Sequence, residues 1–309
     1  MFDFCSFRFD TSIEPGNLPD YLCFKSNYKK MENQNVWFVT GASKGLGLTL
    51  VNRLLKEGFR VAATSRRIND LKAAVVQQAN FLPLEVDLQS EISVSAALNE
   101  TITRFGQIDV VVNNAGYGLV GGLEELTDQE SRSNFDVNVF GMLNVIRNVL
   151  PQMRRQSSGH IFNIASVGGF VGTFPGFGIY CATKFAVHGL SESLAAEVDP
   201  FGIKVTIVSP GYFRTNFLDS SLATPSQSIA AYEAVRASQA LHQEQINGHQ
   251  PNDPEKAAAV LIATAELDQA PLHLFLGQDA YDMVQQKIQN VEREMEVVKS
   301  LALSTAFSN

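Results

Sequence analysis

The sequence of 309 residues contains few cysteines and no long uninterrupted hydrophobic run. Its three cysteines, Cys5, Cys23 and Cys181, form no CxxC pair and lie at no metal-ligand spacing from a histidine. This excludes a disulfide framework and predicts that there is no metal site. No apolar run reaches the ~18 residues that a membrane span needs, and the N-terminus lacks the apolar stretch of a secretory signal. We therefore expect a cytoplasmic protein without a membrane span, since thiols stay reduced in that compartment.

An excess of basic side chains is also absent. The chain has 24 Lys and Arg residues against 32 Asp and Glu residues, which gives a formal net charge of −8. A nucleic-acid-binding protein usually presents a basic face to the phosphates, so we predict that no nucleic acid is bound. The 45% of hydrophobic residues and 18% of charged residues are typical of a globular protein with a substantial core.

Residues 1–30 differ in pattern from the rest of the chain. Phenylalanine alternates with polar residues in their first part, and turn-forming residues follow. We predict a poorly ordered N-terminal extension over residues 1–30, with Met31 as the natural start. The alternating phenylalanines leave an additional edge strand as an alternative.

From Val36 onward, short β-rich apolar runs alternate with longer amphipathic stretches. This alternation implies parallel strands joined by right-handed crossovers, in a sheet covered on both faces. We therefore predict one doubly wound α/β domain over residues 31–278, with a seven-stranded, mainly parallel sheet and helices on both faces. The predicted strands are 36–40, 60–64, 81–86, 110–113, 160–165, 204–208 and 273–276, and the predicted helices are 45–57, 68–79, 90–105, 128–152, 177–198 and 254–266.

Two segments depart from this rhythm. Residues 217–251 are weakly patterned and rich in Ser, Ala and Gln, and a long insertion of this kind is often functional or mobile. We predict one or two helices there, forming a lid over the substrate. Residues 279–309 form a tail whose periodicity predicts a helix over 279–300, with an apolar stripe that must bury against the domain or a second subunit.

A glycine-rich turn follows the first predicted strand, in the order Thr40-Gly41-Ala42-Ser43-Lys44-Gly45-Leu46-Gly47. Glycine permits positive φ and lets a pyrophosphate approach the backbone closely. The amides that open the next helix then point at the phosphates. A strand before the turn, and a helix and a second strand after it, supply the context of a dinucleotide-binding turn.

The end of the second predicted strand distinguishes between the two nicotinamide cofactors. An Asp or Glu there would bind the 2′-hydroxyl of NAD, whereas this chain has Thr64-Ser65-Arg66-Arg67, with Lys44 in the glycine turn. Arg can hold a 2′-phosphate through two hydrogen bonds, and Lys adds a point charge. We therefore predict NADP(H) as the cofactor. The alternative is that these cations are solvated surface charges.

The glycine spacing Gly-x-x-x-Gly-x-Gly and the motifs that follow it resemble the short-chain dehydrogenase/reductase family. The matching residues are Asn113-Asn114-Ala115-Gly116, Asn138, Ser166, Tyr180-Cys181-Ala182-Thr183-Lys184, Pro210-Gly211 and Thr215, in family order from about Val36 to Leu276. The resemblance implies a Rossmann-type fold and an oxidoreductase that interconverts an alcohol and a ketone or aldehyde. It also implies that the catalytic residues are Asn138, Ser166, Tyr180 and Lys184.

The cofactor-binding set follows from the glycine turn, the second strand and the resemblance. By resemblance, Asp87 would contact the adenine, although it could instead cap the next helix, a role for which Ser90 competes. The complete predicted set is Gly41, Ser43, Lys44, Gly45, Leu46, Gly47, Arg66, Asp87, Leu88, Asn114, Ala115, Gly116, Tyr180, Lys184, Pro210, Gly211 and Thr215.

Tyr180 is the predicted proton-transfer group. A carbonyl that accepts a hydride needs a proton donor beside its oxygen, and an alcohol needs a base, but the ordinary tyrosine pKa of about 10 is high for a base near neutrality. Lys184 lies four residues later on the same helical face, and its charge is expected to lower the pKa of Tyr180. By resemblance, Ser166 would hydrogen-bond the substrate oxygen and Asn138 would hold a water of the proton relay.

Two neighbours of this motif are expected to stay outside the chemistry. Cys181 is one residue from Tyr180 on the predicted helix, so its side chain should point to a different face. His188 lies one turn beyond Lys184, and we expect a packing or interface role for it.

Aromatic residues crowd the two segments that should flank the nicotinamide, 167–177 and 212–222. They are Phe170, Phe174, Phe177, Tyr212, Phe213 and Phe217. An apolar pocket with few polar anchors suits a lipid-like, steroid-like or aromatic ketone or alcohol, so we predict an apolar small-molecule substrate. The resemblance implies a homodimer or homotetramer, assembled through the helices predicted over 128–152 and 177–198.

Two other functions stay open at this point. One is a redox sensor or scaffold that binds NADP(H) without turnover, although the intact Asn138, Ser166, Tyr180 and Lys184 speak against it. The other is epimerisation or dehydration of a sugar nucleotide on the same fold. Such relatives often carry a larger C-terminal domain than the residues after Leu276 can form.

Overall fold

The computed structural model describes residues 35–307, whose organising feature is a twisted sheet between two layers of helices. The predicted N-terminal extension over residues 1–30 and the predicted start at Met31 lie outside the described residues. The described strands are β1 Val36–Val39, β2 Arg60–Ser65, β3 Phe81–Glu85, β4 Val110–Asn113, β5 Gly118–Leu119, β6 Gly159–Ile164, β7 Ile203–Pro210, β8 Leu222–Ala223 and β9 His273–Leu276.

Seven of these strands form the central sheet, in the order β3-β2-β1-β4-β6-β7-β9. Every neighbouring pair is parallel, so the predicted seven-stranded doubly wound sheet is confirmed. The strand order reverses between β1 and β4. A crevice opens at such a reversal, outside the carboxyl ends of the strands, and ligands bind there in folds of this kind.

Helices cover both faces of the sheet. They are α1 Gly45–Lys56, α2 Ile68–Ala74, α3 Glu91–Phe105, α4 Asp128–Phe135, α5 Gly141–Gln156, α6 Gly178–Val198, α7 Phe217–Ser220, α8 Glu233–Ala240, α9 Pro254–Ala265 and α10 Gln278–Leu303. None of them, within residues 35–307, combines the length and apolar character needed to cross a membrane.

The core lies in two layers because consecutive residues of a strand point to opposite faces. In β1, Trp37 packs in the layer under α1 and α9, and Phe38 packs in the layer under α3, α5 and α6. Both side chains are fully buried. Burial of one large apolar side chain contributes about 1.5–3 kcal/mol to the free energy of unfolding, which explains the continuous apolar runs of the strands.

Two predicted helices differ in the structure. The helix predicted over 68–79 ends at Ala74. The segment predicted as one helix over 128–152 contains α4, a π-helical turn at Asp136–Phe140, and α5. Thr127 caps the start of α4 through a reciprocal pair of hydrogen bonds with Glu130. Apolar periodicity gave no sign of the π-helical turn, because the turn adds one residue without breaking the helix.

The insertion at 217–251 begins beside β5. Strand β8 pairs in parallel with β5, through Gly118 with Leu222 and Leu119 with Ala223. The rest of the insertion forms α8 and a π-helical turn at Leu241–Ile246. Helices therefore do form in this segment, while its function as a lid stays a prediction.

The tail forms α10. Its first turns are buried in a small cluster, in which Ala280 and Val284 pack with Val167 and Val171. The helix continues to Leu303, and its residues after Val284 are half-buried or exposed.

Candidate active site

A cavity of about 560 Å³ lies at the carboxyl edge of the central sheet. Its walls include residues that directly follow β1, β2, β3, β4, β6 and β7, together with α6 and the insertion. All predicted site residues line it except Gly47 and Asn138, which lie behind its wall. The structure thus brings the predicted cofactor and catalytic residues to one place.

The glycine turn has the backbone shape that a pyrophosphate requires. Gly41 and Gly45 have φ of 64° and 59°, which is the left-handed region that favours glycine. A Cβ on Gly41 would lie 2.7 Å from the Cα of Ala115. Helix α1 begins at Gly45 with no side-chain cap and no acidic residue in its first turn, so its first amides are available to an anion. These residues fit a dinucleotide.

Asn114 holds this turn against β4. Its side-chain amide donates to the carbonyls of Thr40 (2.9 Å) and Gly41 (3.0 Å). The hydroxyl of Thr40 accepts hydrogen bonds from the amides of Asn114 and Ala115 at 3.0 Å each. Gly47 packs against the same Asn114 side chain. These contacts fix the turn before any ligand arrives.

The cations near the predicted ribose site have different surroundings. Arg67 forms an ion pair with Asp70 at 2.7 Å, whereas Arg66 lines the cavity and forms no ion pair within residues 35–307. The ammonium group of Lys44 donates to the carbonyl and the hydroxyl of Ser220, at 3.0 Å each. Lys44 therefore links the glycine turn to the insertion, a contact that the sequence did not indicate.

Asp87 and Ser90 have separate roles. Ser90 caps α3, because its hydroxyl accepts from the amide of Ser93 at 3.3 Å. The carboxylate of Asp87 accepts from the amide of Gln89 at 3.0 Å, and Asp87 lines the cavity. The capping alternative for Asp87 is therefore wrong, and its contact with the adenine stays a prediction.

Tyr180, Lys184 and Ser166 lie near one another in the wall of the cavity. The ammonium nitrogen of Lys184 lies 5.9 Å from the centre of the Tyr180 ring and donates to the carbonyl of Ile164 at 2.8 Å. The hydroxyl of Ser166 accepts from the amide of Gly168 at 3.0 Å. A Cβ on Gly168 would be 3.4 Å from the Ser166 hydroxyl and 3.7 Å from the Tyr180 ring, so these two side chains converge there.

The expected effect of Lys184 on Tyr180 is not what this structure gives. Burial raises the pKa of Tyr180 above its ordinary value, and the side chain of Ser166 acts in the opposite direction. Burial also lowers the pKa of Lys184 to about 8. Desolvation opposes charge on both groups, and it is the largest cause of each pKa shift.

Asn138 occupies the π-helical turn between α4 and α5. Its side-chain oxygen accepts from the amide of Tyr117 at 3.0 Å, and its nitrogen donates to the carbonyl of Tyr117 at 3.0 Å and the hydroxyl of Thr183 at 3.1 Å. Thr183 in turn donates to the carbonyl of Tyr180 at 2.7 Å. Asn138 thus ties the residues after β4 to α6. Turns of this kind are frequent at functional sites.

The part of the cavity beside Tyr180 is aromatic. Of the six predicted aromatic residues, Phe174, Phe177, Tyr212, Phe213 and Phe217 line the cavity. Phe170 does not: its ring packs 5.5 Å from that of Phe275, in the cluster under α10.

Two residues that the sequence did not single out, His242 and Gln250, complete this side. His242 Nδ1 lies 2.7 Å from the carbonyl of Ser238 and therefore carries the proton, so Nε2 accepts from the Tyr212 hydroxyl at 2.9 Å. Burial lowers the pKa of His242. The one sequence signal for this arrangement is the four-residue spacing between Ser238 and His242, which lets the ring meet a carbonyl of the preceding helical turn.

Cys181 lines the cavity beside Tyr180, so the expectation that it points elsewhere is wrong. Residues 180 and 181 both face inward because α6 begins at the cavity wall, with buried groups on both sides of its first turn. Burial raises the pKa of the Cys181 thiol to about 11. The thiol is therefore protonated near neutrality and is a poor nucleophile.

His188 packs in the interior, as predicted. It is buried, and its Nε2 lies 3.0 Å from the hydroxyl of Ser209. His188, Glu192 and His273 place donor atoms within 4.8 Å of one another, and none of the three lines the cavity. The absence of a metal site therefore stays a prediction.

Asp279 supports the turn after β7, a role that its sequence neighbourhood does not indicate. Its carboxylate accepts from the amide of Tyr212 at 2.6 Å and from the side chain of Asn252 at 2.8 Å. A Cβ on Gly211 would overlap this carboxylate, which explains the glycine. The only signal that the sequence offers for this role is an acidic residue in the first turn of α10, a helix that begins directly after Gly277.

Comparisons with known proteins agree with this geometry. The sequence model of the short chain dehydrogenase family matches residues 35–226. Oxidoreductase BOA17 of Botryotinia fuckeliana is 34% identical over 273 residues, covering 88% of this chain and 99% of that protein. A 3-ketodihydrosphingosine reductase of Bacteroides thetaiotaomicron is 39% identical over 228 residues, covering 73% and 82%. The human 17-beta-hydroxysteroid dehydrogenase type 1 is 34% identical over 256 residues, covering 78% and 77%.

A solved structure gives the same result. The crystal structure of a short-chain dehydrogenase from Streptomyces avermitilis superposes with a TM-score of 0.82, at 38% sequence identity. The match covers 88% of this chain and 99% of that one. The similarity therefore extends over most of this chain and nearly all of that one.

Proposed function

This chain belongs to the short-chain dehydrogenase family, and on that premise we propose that it is an NADP(H)-dependent oxidoreductase which interconverts an apolar alcohol and its ketone or aldehyde. The observation that carries the proposal is the meeting of Tyr180, Ser166 and Lys184 in the cavity that the glycine turn also lines. The family membership supports an oxidoreductase; the cofactor, substrate and mechanism are our proposal.

Each catalytic side chain has a distinct task. When bound, the nicotinamide supplies or accepts the hydride. In the direction of reduction, the hydroxyl of Tyr180 donates its proton to the carbonyl oxygen, and Ser166 hydrogen-bonds the same oxygen. The ammonium nitrogen of Lys184 lies 5.9 Å from the centre of the Tyr180 ring. Its positive charge stabilises the phenolate that is left, and Asn138 holds a water for reprotonation.

The proposal of NADP(H) rests on charge at the end of β2. Arg66 lines the cavity and has no carboxylate partner within the described chain. A guanidinium group in this position favours the 2′-phosphate. Lys44 adds a second cation once its ammonium group exchanges Ser220 for the phosphate. No carboxylate of β2 stands in the place that would bind a free 2′-hydroxyl.

The proposal of an apolar substrate rests on the aromatic side of the cavity. Phe174, Phe177 and Phe217 give the cavity apolar surface there, and the polar side chains among them are Tyr212, His242 and Gln250. Two of the relatives are named for a ketodihydrosphingosine and a hydroxysteroid, both of which are largely hydrocarbon. A carbonyl or hydroxyl at one end of such a molecule would meet Tyr180, while the rest lies among the aromatic rings.

We also propose a cytoplasmic homodimer or homotetramer that assembles through α4, α5 and α6. Phe140, in the π-helical turn between α4 and α5, is 53% exposed, and Phe185 in α6 is 44% exposed. Exposed aromatic side chains on such surfaces are typical of protein interfaces.

The proton-transfer role of Tyr180 is tested by Tyr180→Phe. Proton transfer by a placed side chain contributes about 10²–10⁴-fold to the rate. We therefore expect kcat for reduction of an active apolar ketone to fall at least about 100-fold, while NADPH binding, followed by its fluorescence, stays within about twofold. Steady-state absorbance of NADPH at saturating ketone provides the measurement. Near-normal turnover by the phenylalanine variant would refute the assignment.

The matched control is Cys181→Ser. Cys181 is adjacent in sequence and also lines the cavity, but it has no part in the proposed proton transfer. Its replacement should retain most of the turnover. A loss as large as that of Tyr180→Phe would show that any change at this wall is harmful. The tyrosine result would then not support proton transfer by Tyr180.

A further inference from the structure

Three metal-ligating side chains meet where α6 passes the start of β9. His188 and Glu192 are four residues apart on α6, so they share one face of the helix. His273 is the first residue of β9, the last strand of the central sheet. One donor atom from each of the three lies within 4.8 Å of the other two. None of the three lines the cavity, so the proposed dehydrogenase reaction does not use this cluster.

The spacing of these atoms suits a small cation. Three atoms at most 4.8 Å apart share a point within about 2.8 Å of each, and Zn²⁺ binds nitrogen and oxygen ligands at about 2.0–2.2 Å. Nε2 of His273 lies 3.7 Å from Oε1 of Glu192, which is too long for a hydrogen bond. It is close to the separation of about 3.4 Å between two ligands of a tetrahedral Zn²⁺ ion. Side-chain shifts of less than about 1 Å therefore complete the coordination.

The interior holds the ring of His188 in place. Its Nε2 lies 3.0 Å from Oγ of Ser209, and a Cβ on Gly169 would lie 2.9 Å from its Cδ2. Nδ1 has no hydrogen-bond partner within residues 35–307. A hydrogen bond donated by Nε2 to Ser209 leaves a lone pair on Nδ1, and histidines that bind metals commonly donate their other ring N–H in this way. Nδ1 is therefore the nitrogen available to an ion.

Glu192 and His273 open the cluster to solvent. Their side chains are 53% and 37% exposed, whereas His188 is buried. An ion can therefore enter from the solvent side, where a water can complete its coordination. The alternative is a plain ion pair between Glu192 and a protonated His273. Such an exposed pair contributes little to stability, and it gives Nδ1 of His188 no partner.

We propose that His188, Glu192 and His273 bind one Zn²⁺ ion, with a water as the fourth ligand. Two imidazoles and one carboxylate with an open position are a ligand set that Zn²⁺ takes in proteins, whereas Mg²⁺ and Ca²⁺ prefer oxygen ligands alone. The ion would hold α6 and β9 together, one helical turn beyond Lys184. The proposal replaces the expectation of no metal site, which sequence spacing alone favoured because His273 lies far along the chain from the other two ligands.

A zinc titration of the full chain tests this site. Cys5→Ser and Cys23→Ser are introduced first, because free thiols compete for zinc. The protein is stripped with EDTA, dialysed, and titrated with ZnCl₂ in competition with a coloured chelator. We expect one ion per chain, bound in the micromolar range or tighter. Glu192→Gln and His273→Gln should each weaken binding at least about tenfold, because changes even outside the ligand set typically cost 10–100-fold.

The matched controls are Glu197→Gln and His249→Gln. Both residues are exposed, Glu197 lies on the same helix, and neither belongs to the cluster. Each control should bind zinc within about twofold of the starting protein. Thermal unfolding without zinc, followed by circular dichroism, checks that all four variants are folded. Failure of the starting protein to bind zinc overturns the proposal, and so does equal binding by the cluster and control variants.

Cobalt gives a second measurement that does not depend on affinity. Co²⁺ in a tetrahedral site absorbs visible light much more strongly than Co²⁺ surrounded by six oxygen ligands. We expect the strong bands with the starting protein and with Glu197→Gln, and their loss with Glu192→Gln. A weak spectrum that is the same in all three proteins would place the ion elsewhere on the surface and overturn the proposal. Neither measurement involves turnover, so both remain valid whatever the outcome for the proposed oxidoreductase activity.

Discussion

Arg66 is the residue on which the choice of cofactor depends. It lines the cavity at the end of β2, while its neighbour Arg67 is paired with Asp70. The two arginines differ in surroundings although they are adjacent in sequence. Their difference allows the charge of the cavity to be changed separately from the charge of the surface.

Replacing Arg66 with aspartate should change the preference between the cofactors. A hydrogen bond to a charged group contributes about 1.5–3 kcal/mol, so we expect Arg66→Asp to raise KM for NADPH about 10–100-fold and to leave KM for NADH much less affected. Initial rates at saturating ketone provide both constants. Arg67→Asp, which makes the same charge change, should have little effect on either; a matching rise for NADH in the Arg66 variant would contradict the assignment.

At the scale of elements, the insertion is attached to the domain by carboxylates. The buried carboxylate of Glu125 accepts from the amides of Gly122 (2.6 Å) and Ile229 (2.7 Å) and pairs with Arg236. Glu130 accepts from the amide of Ser226 at 2.9 Å. The hydrogen bond from Ile229 is the main reason that the pKa of Glu125 is below its ordinary value. The ionised form therefore holds the insertion.

Glu125→Gln should loosen the insertion without unfolding the sheet. The amide has a similar shape but no charge for Arg236, and its NH₂ group cannot accept from a backbone amide. We expect limited proteolysis within residues 224–251 to become at least about tenfold faster, while KM for NADPH stays within about twofold. Asp128→Asn, which removes an exposed carboxylate, is the control. An unchanged cleavage rate in the Glu125 variant would mean that other contacts hold the insertion.

The strands differ in whether the sequence could predict them. The central strands were predictable because each is a buried apolar run, as in Val110–Asn113. Strand β5 was not, since two residues carry no pattern and Gly118 pairs with Leu222, far along the chain. The residues that we propose as catalytic followed from their motif. Asp279 and His242 did not, because their roles depend on Tyr212, which lies 67 and 30 residues away.

For the whole molecule, buried histidines make stability depend on pH. Desolvation lowers the pKa of His160 to about 3. Its Nε2 meets the hydroxyl of Thr206 at 2.9 Å, and that hydroxyl donates to the carbonyl of Pro271, so Nε2 carries the proton. Nδ1 is buried without a hydrogen-bond partner in residues 35–307, and a proton there would be unsatisfied. The folded chain therefore resists protonation.

A fall in pH therefore lowers the free energy of unfolding. Below about pH 6.5 the unfolded chain binds a proton at residue 160 and the folded chain does not, so stability is lost as pH falls towards about 3. Each such histidine costs about 1.4 kcal/mol per pH unit in this window. We expect His160→Gln to reduce the slope of the unfolding free energy between pH 6 and 4.5 by about that amount, measured by urea denaturation. His249→Gln, at an exposed site, is the reference; slopes that agree between the two variants would contradict the prediction.

Most of the cavity is lined by two separate stretches of chain, and Val137 and residues 164–168 lie between them in sequence. Residues between Gly41 and Tyr117 form the wall beside the glycine turn, and the aromatic wall is formed by residues from Phe174 to Gln250. Because these two stretches are far apart in sequence, a graft of the segment between β7 and α9 from another member would change the cavity wall from Tyr212 to Gln250 and leave the wall beside the glycine turn intact.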